Sequence, residues 1–499
     1  AAVVTTSGTA VGELLPAVME ANHAAVPLVV LSADRPEELR GTGANQTTRQ
    51  ANLFGIHVRC SLDVPAGEDP TPHLARALAE ARGARGPAGP VQVNLAFREP
   101  LVPSPADAGV SLPGPGHPDG GVAPGFGAGP AGEGEGTTTP APPSEVGART
   151  VVLAGHGAGE LAAVFAQHLS LPLLAEPSSN ARFGSSAIGG YRLLLEGFGS
   201  QIERVVVFGR PTLSRPVAAL LARTDVERAL YVPEPQAWFE EGRRPEELIR
   251  TLPELLAFAG RGPAGWLEDW RGAGARAEAA LQLALASEPA LTGLHVADAV
   301  WENTTDNLVL GSSNPIRDVD LAASGDWHPL EVYANRGLAG IDGSISTAGG
   351  IALAAGIPTR LLVGDLTFLH DAGGFLLGPG EEEPDLQVVV LNDSGGGIFG
   401  LLEHGDPATL ERYGAAVERL FGTPHTADLG SLAQGYGVPH RLISTVEELD
   451  SALEEPIRGR SVLEVRTDRA GLRRFHGRVK SAVQQAVGFE RGGAQRNNR

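Results

Sequence analysis

Leu361-Leu362-Val363-Gly364-Asp365-Leu366 and Val388-Val389-Val390-Leu391-Asn392-Asp393-Ser394-Gly395-Gly396-Gly397-Ile398-Phe399 are the two stretches that decide the fold of this chain. Each is an apolar run of β type that stops at a carboxylate. The two carboxylates, Asp365 and Asp393, lie 28 residues apart, the length of one strand-helix-strand crossover. Adjacent strands of a parallel sheet would carry both to its C-terminal edge, where open α/β sheets bind ligands. Gly395, Gly396 and Gly397 then allow a tight turn and a close approach of backbone to ligand. Two hard oxygen ligands beside a glycine loop suit Mg²⁺ held jointly with a diphosphate. The plain alternative is a pair of strand ends with N-capping aspartates.

Working outward, 499 residues leave room for two to four domains, and a hydrophobic content of 42% is ample for their cores. No apolar run reaches the ~18–20 residues that span a bilayer. The net charge of −20 argues against nucleic acid or an anionic membrane as partner. A single cysteine, Cys60, permits no internal disulfide and no cysteine metal cluster, and it reads as a small buried apolar residue in a cytoplasmic protein.

Residues 1–102 alternate strand and helix signals, with strand runs at 26–31 and 89–95 and helical spacing over 74–81. Residues 103–148 hold 12 glycines and 10 prolines, too little apolar surface to offset ordering entropy, and read as an interdomain linker. A second α/β unit, 149–288, opens on Thr150-Val151-Val152-Leu153-Ala154-Gly155-His156-Gly157-Ala158-Gly159-Glu160. Glu160 stands where a dinucleotide fingerprint needs its third glycine, so a plain strand-to-helix turn is expected. Helical spacing over 273–287 closes this unit. A third unit, 289–488, has strand signals at 307–310, 330–333, 361–363, 387–391 and 461–465, which alternate with helices as in a doubly wound parallel sheet. A polar tail, 489–499, follows.

Three α/β units with these motifs in the last resemble thiamine-diphosphate-dependent enzymes. The usual motif of that group is Gly-Asp-Gly followed by Asn-Asn. Gly364-Asp365-Leu366 and Asn392-Asp393 depart from it in the manner of one branch, the 2-succinyl-5-enolpyruvyl-6-hydroxy-3-cyclohexene-1-carboxylate (SEPHCHC) synthases of menaquinone biosynthesis. Further stretches resemble that branch along most of the chain. They include Thr6-Ser7-Gly8-Thr9-Ala10, Gly43-Ala44-Asn45-Gln46-Thr47, Gly311-Ser312-Ser313-Asn314-Pro315-Ile316-Arg317 and Asn335-Arg336-Gly337-Leu338-Ala339-Gly340-Ile341-Asp342-Gly343.

The resemblance implies three thiamine-diphosphate-type α/β domains, a homodimer or dimer of dimers, and Mg²⁺, replaceable by Mn²⁺, on the cofactor diphosphate. It implies that Asp365, Asp393 and the Gly395 carbonyl hold the metal. Gly364, Leu366 and Gly396 would line the diphosphate, Ile341 would prop the bent cofactor, and Ile398 and Phe399 would form an apolar wall. The implied reaction decarboxylates 2-oxoglutarate and adds the succinyl carbanion equivalent in a 1,4 sense to isochorismate. Those substrates carry several carboxylates, for which guanidinium forks are suited. Arg35, Arg215, Arg317 and Arg336 match substrate-side positions, as do Asn45 and Gln46, and Ser313, one helical turn before Arg317, is placed to hydrogen-bond substrate or diphosphate.

The glutamate that activates the cofactor in this family precedes the Thr-Ser-Gly-Thr-Ala stretch by more residues than stand there. Residues 1–102 therefore read as the latter part of a first domain, in a chain expected to be poorly active alone. Two other readings stand beside the leading one: a thiamine-dependent 2-oxoacid decarboxylase or carboligase with a different acceptor, and a noncatalytic diphosphate-binding homologue. Of the histidines, His370 reads as structuring the loop after Asp365, and His476, which follows two arginines, reads as surface.

Overall fold

The computed structural model describes residues 1–102, 147–240, 242–325 and 328–488. The segment read as a linker lies outside these except for its last two residues, as does the polar tail. The described residues form three separate, wholly parallel sheets. The first has strands β1 (Ala2–Thr5), β2 (Leu28–Asp34), β3 (Ser61–Val64) and β4 (Pro90–Ala96), in the order β1-β2-β4-β3. The second has β5 (Thr150–Ala154), β6 (Leu173–Ala175), β7 (Arg204–Phe208), β8 (Glu227–Tyr231) and β9 (Glu247–Ile249), in the order β6-β5-β7-β8-β9. The third has β10 (Asn307–Leu310), β11 (Glu331–Ala334), β12 (Thr359–Gly364), β13 (Leu386–Asn392), β14 (His440–Ile443) and β15 (Arg460–Arg466), in the order β11-β10-β12-β13-β15-β14.

Continuous Val/Leu runs form the central strands because parallel strands are covered on both faces. Every residue of β13 is buried. β12 and β13 are direct neighbours with Gly364 opposite Leu391, so Asp365 and Asp393 leave the sheet at one edge. The chain runs from β10 outward to β11, then returns across the sheet to β12 and β13. That reversal opens a crevice at the C-terminal ends of β10 and β12, the place where doubly wound sheets take ligands.

The second and third units share cores. The helix Trp266–Ala286 begins seven residues before the helical spacing read over 273–287. Its Leu281 and Leu285 pack with Leu294, Trp301, Phe475 and Val479 of the third unit. In return Val483, on the C-terminal helix Leu472–Val487, packs with Trp266 and Trp270 of the second. No helix among the described residues is long and apolar enough to cross a membrane.

Candidate active site

The glycines after Asp393 are required by contact as well as by conformation. A Cβ on Gly395, whose φ is +152°, would lie 2.2 Å from the Gly422 carbonyl oxygen. One on Gly396 would lie 2.4 Å from the Phe421 carbonyl, and one on Gly397 would lie 2.0 Å from Asp393 Oδ2. The Gly396 N–H donates to the Gly422 carbonyl at 2.8 Å, which pins the loop. Behind it, Asn392 Nδ2 donates to buried Glu464 Oε1 at 2.9 Å while Asn392 Oδ1 accepts from the Ser394 N–H at 3.0 Å.

Asp365 is the first residue of the helix Asp365–His370 and not its N-cap, which is Gly364. Its Oδ1 accepts from the Leu366 N–H at 2.7 Å and its Oδ2 from the Gly395 N–H at 2.8 Å. His425 also meets Oδ2, through Nε2 at 2.9 Å. Because His425 Nδ1 accepts from the Ala427 N–H at 3.2 Å, the ring proton sits on Nε2 and is donated to Asp365. Three of about four lone-pair positions on the carboxylate are thus filled and one remains. Asp393 is pushed up to about 7 by burial and by the neighbouring Asp365 charge. Two crowded carboxylates with spare acceptor capacity beside a glycine cradle fit a divalent cation on a diphosphate. Ile398 and Phe399 follow at the start of the short helix Ile398–Leu401, with the Phe399 ring 5.2 Å from Phe421.

A second group of residues gathers around Arg336. This side chain is 2% exposed. Its Nη2 donates to Thr212 Oγ1 at 2.9 Å and to Asn45 Oδ1 at 3.3 Å, while Nε and Nη1 have no partner. Arg317 starts one helical turn past the Ser313 carbonyl, to which its Nη1 donates at 2.6 Å. Burial, then Arg336 and Arg192, bring Arg317 down to about 10. Arg210 and His156 are held below their ordinary values by burial and by Arg336 as well. Against these cations stand Glu176, Asp320 and Asp318. Glu176 is pushed up to about 7 by burial and by Asp320, although it accepts from the Thr212 and Leu213 N–H groups at 2.9 and 2.8 Å. Buried arginines held below their ordinary values, with two N–H donors of Arg336 left unpartnered, make a site for anions.

Asn45, Thr212, Ser313, Arg317 and Arg336 are therefore brought together, and Gln46 follows Asn45 in a left-handed conformation at φ +55°. Ile341 is half-buried in the loop that carries Arg336, next to Asp342, whose Oδ1 accepts from Thr9 Oγ1 at 2.6 Å. Arg35 is half-buried beside Asp34 and Glu99. Arg215 does not join the buried group: its side chain is 62% exposed and pairs with Glu403 at 2.8 Å.

Two histidine readings are corrected. His370 is exposed, and the loop after Asp365 is instead fixed by Asp371, which accepts from the Ser346 N–H and Oγ at 2.8 and 3.1 Å. His476 is not on the surface. Its side chain is 13% exposed and its Nε2 faces Asp318 Oδ1 at 3.6 Å, with neither atom otherwise partnered. Burial lowers His476 to about 4 and raises Asp318 to about 7. An unfolded aspartate ionises near 4, so the contribution of Asp318 to stability falls as pH rises from about 4 through 7, and above 7 the fold carries a buried charge. Asp318→Asn removes that charge, and its amide donates toward the orphaned His476 nitrogen. Denaturation at pH 8 is expected to show a gain on the order of 2 kcal/mol that shrinks as pH falls below 7 and disappears toward pH 4. A gain that does not vary with pH would show that Asp318 is not protonated in the fold.

A family model described as "Thiamine pyrophosphate enzyme, C-terminal TPP binding domain" matches residues 323–465. The chain is 60% identical over 497 residues to a protein of Paenarthrobacter aurescens (strain TC1) named 2-succinyl-5-enolpyruvyl-6-hydroxy-3-cyclohexene-1-carboxylate synthase, covering 98% of this chain and 85% of that one. A protein of the same name from Arthrobacter sp. (strain FB24) is 60% identical over 493 residues, covering 97% and 81% respectively. Among solved structures, benzoylformate decarboxylase from Polynucleobacter necessarius superposes with a TM-score of 0.45 at 16% identity, over 94% of this chain and 87% of that one.

Proposed function

The chain belongs to the SEPHCHC synthase family of thiamine-diphosphate enzymes, and on that premise we propose that it joins 2-oxoglutarate, with loss of CO₂, to isochorismate in menaquinone biosynthesis. The observation that carries the substrate reading is Arg336, buried beside Arg317 and Arg210 with its Nε and Nη1 donors unpartnered. A fork of that kind takes a carboxylate in bidentate fashion. The succinyl fragment and isochorismate together bring three carboxylates, and Arg317 and Arg336 are the cations available to meet them without further desolvation. Asn45 and Gln46 supply neutral polar contacts, and Arg35 a further charge at the rim.

Asp365, Asp393 and the Gly395 carbonyl would hold Mg²⁺, with Mn²⁺ as a substitute. Gly364, Leu366, Gly395 and Gly396 would lie along the diphosphate. Bound there, thiamine diphosphate supplies the electron sink that a 2-oxoacid needs to lose CO₂. The protein's own part is to hold the carboxylates by fixed hydrogen bonds and to exclude water with Ile341, Ile398 and Phe399, which favours loss of a carboxylate charge. Arg215, exposed on Glu403, would reach substrate only by exchanging that partner.

Product analysis tests the reading. With thiamine diphosphate, Mg²⁺ and 2-oxoglutarate, slow consumption of isochorismate to SEPHCHC is expected, whereas simple aldehydes offered as acceptors are not consumed. Equal use of an uncharged acceptor would overturn the assignment of the arginine pocket.

A further inference from the structure

Arg210 lies outside the groups discussed so far as ligands, yet it touches all three units of the chain. It follows β7 in the second unit and is 7% exposed. Its Nε donates to the Gly43 carbonyl at 2.8 Å and its Nη2 to the Ala44 carbonyl at 3.3 Å, both in the first unit. Its Nη1 donates to the Gly337 carbonyl at 2.8 Å in the third. These carbonyls immediately precede Asn45 and immediately follow Arg336. The guanidinium also lies 5.6 Å from the centre of the Trp238 ring. Gly43, at φ +78°, packs so closely on that ring that a Cβ would come within 2.4 Å of it. Arg244, 5.1 Å from the same ring, donates to the Thr42 carbonyl at 2.8 Å.

We infer that Arg210 is a positioning residue for acceptor recognition: it sets the backbone carrying Asn45 against the backbone carrying Arg336, so that groups from different units converge on one anion. The inference rests on the substrate reading above for the identity of that anion, but the tie itself does not. Three donors of one rigid planar group are spent on three main-chain carbonyls, which carry no side-chain information and have only a geometric use. A lysine keeps the charge but cannot span three acceptors in one plane. Loss of the tie misplaces Asn45 relative to Arg336, and misplacement of that order weakens recognition without touching the diphosphate end.

The test uses Arg210→Lys and, at a half-buried position where folding is not at stake, Trp238→Leu. Hydrogen exchange is followed in peptides spanning 41–50 and 335–343, and isochorismate is titrated calorimetrically into protein loaded with thiamine diphosphate and Mg²⁺. In Arg210→Lys both peptides are expected to lose protection together. Isochorismate affinity should fall about 10-fold or more, with cofactor affinity unchanged. Trp238→Leu should move both readouts in the same direction and less far. Combining Arg210→Lys with Asn45→Ala should cost less than the sum of the single changes. Unchanged exchange, unchanged isochorismate affinity, full additivity, or equal loss of cofactor affinity would each overturn the inference. Should Arg210→Lys not fold, an unaltered Trp238→Leu variant would overturn it alone. If the exchange result appears but the unsubstituted protein binds no isochorismate, the substrate reading fails and the interdomain tie stands.

Discussion

Asp365→Ala and Asp393→Ala are each expected to abolish Mg²⁺-dependent binding of thiamine diphosphate, a loss of about 100-fold or more in affinity, while the protein stays folded. Mg²⁺ demands near-octahedral oxygen ligation, and the loop offers two carboxylates and the carbonyls of a glycine turn for it. Removing either carboxylate leaves the remaining charge too weak to compete with water for the ion. The two variants should differ in metal-free stability. Asp393 is a buried acid already held at about 7 beside Asp365, so its removal relieves repulsion. Asp365 accepts from Leu366, Gly395 and His425, and its removal takes this acceptor from all three donors. Calorimetry should therefore read no metal-dependent cofactor binding in both, and thermal melts should place Asp365→Ala below Asp393→Ala. Normal cofactor affinity in both variants would remove these residues from the metal site.

The diphosphate half of the site was legible because its signal is local. An apolar strand run, a carboxylate and three glycines are contiguous, and strand adjacency follows from the crossover length. What supports that half was not legible. His425 lies 60 positions from Asp365, and nothing in its neighbourhood marks it as a partner. Glu464 and Asn392 meet across two strands, 72 positions apart. His476 was misread for a different reason. Arg473 and Arg474 suggest a solvated face, but Phe475, Val479 and Val483 recur every four residues and place the neighbouring His476 against the core. The strand β14 was missed because two of its four residues are exposed and it lies at the sheet edge. Arg215 shows the limit of positional matching: the site of an arginine can be inferred, its partner cannot, and here the partner is Glu403.

Arg336→Ala is expected to lower catalytic efficiency with 2-oxoglutarate and isochorismate by about 100-fold or more, relative to the unsubstituted chain, because losing a charge-assisted hydrogen bond at a buried carboxylate costs about 2–4 kcal/mol. Cofactor affinity should stay near normal, since the side chain is tied to Asn45 and Thr212 and not to the diphosphate loop. Stability should not fall in proportion. The guanidinium is a buried cation that crowds Arg317, Arg210 and His156, and two of its nitrogens have no partner in the protein. A group kept in that condition costs the fold something, and the cost is offset only when a ligand anion takes up the free donors. Arg336→Lys should therefore rescue little, because an ammonium offers a point charge where the pocket is built for a planar fork. Arg317→Ala should behave similarly but less severely, as one of its donors is already spent on the Ser313 carbonyl. A thermal melt lowered by many degrees together with unchanged affinity for both carboxylic acids would assign Arg336 to the fold, and the arginine pocket would lose its reading as the substrate site.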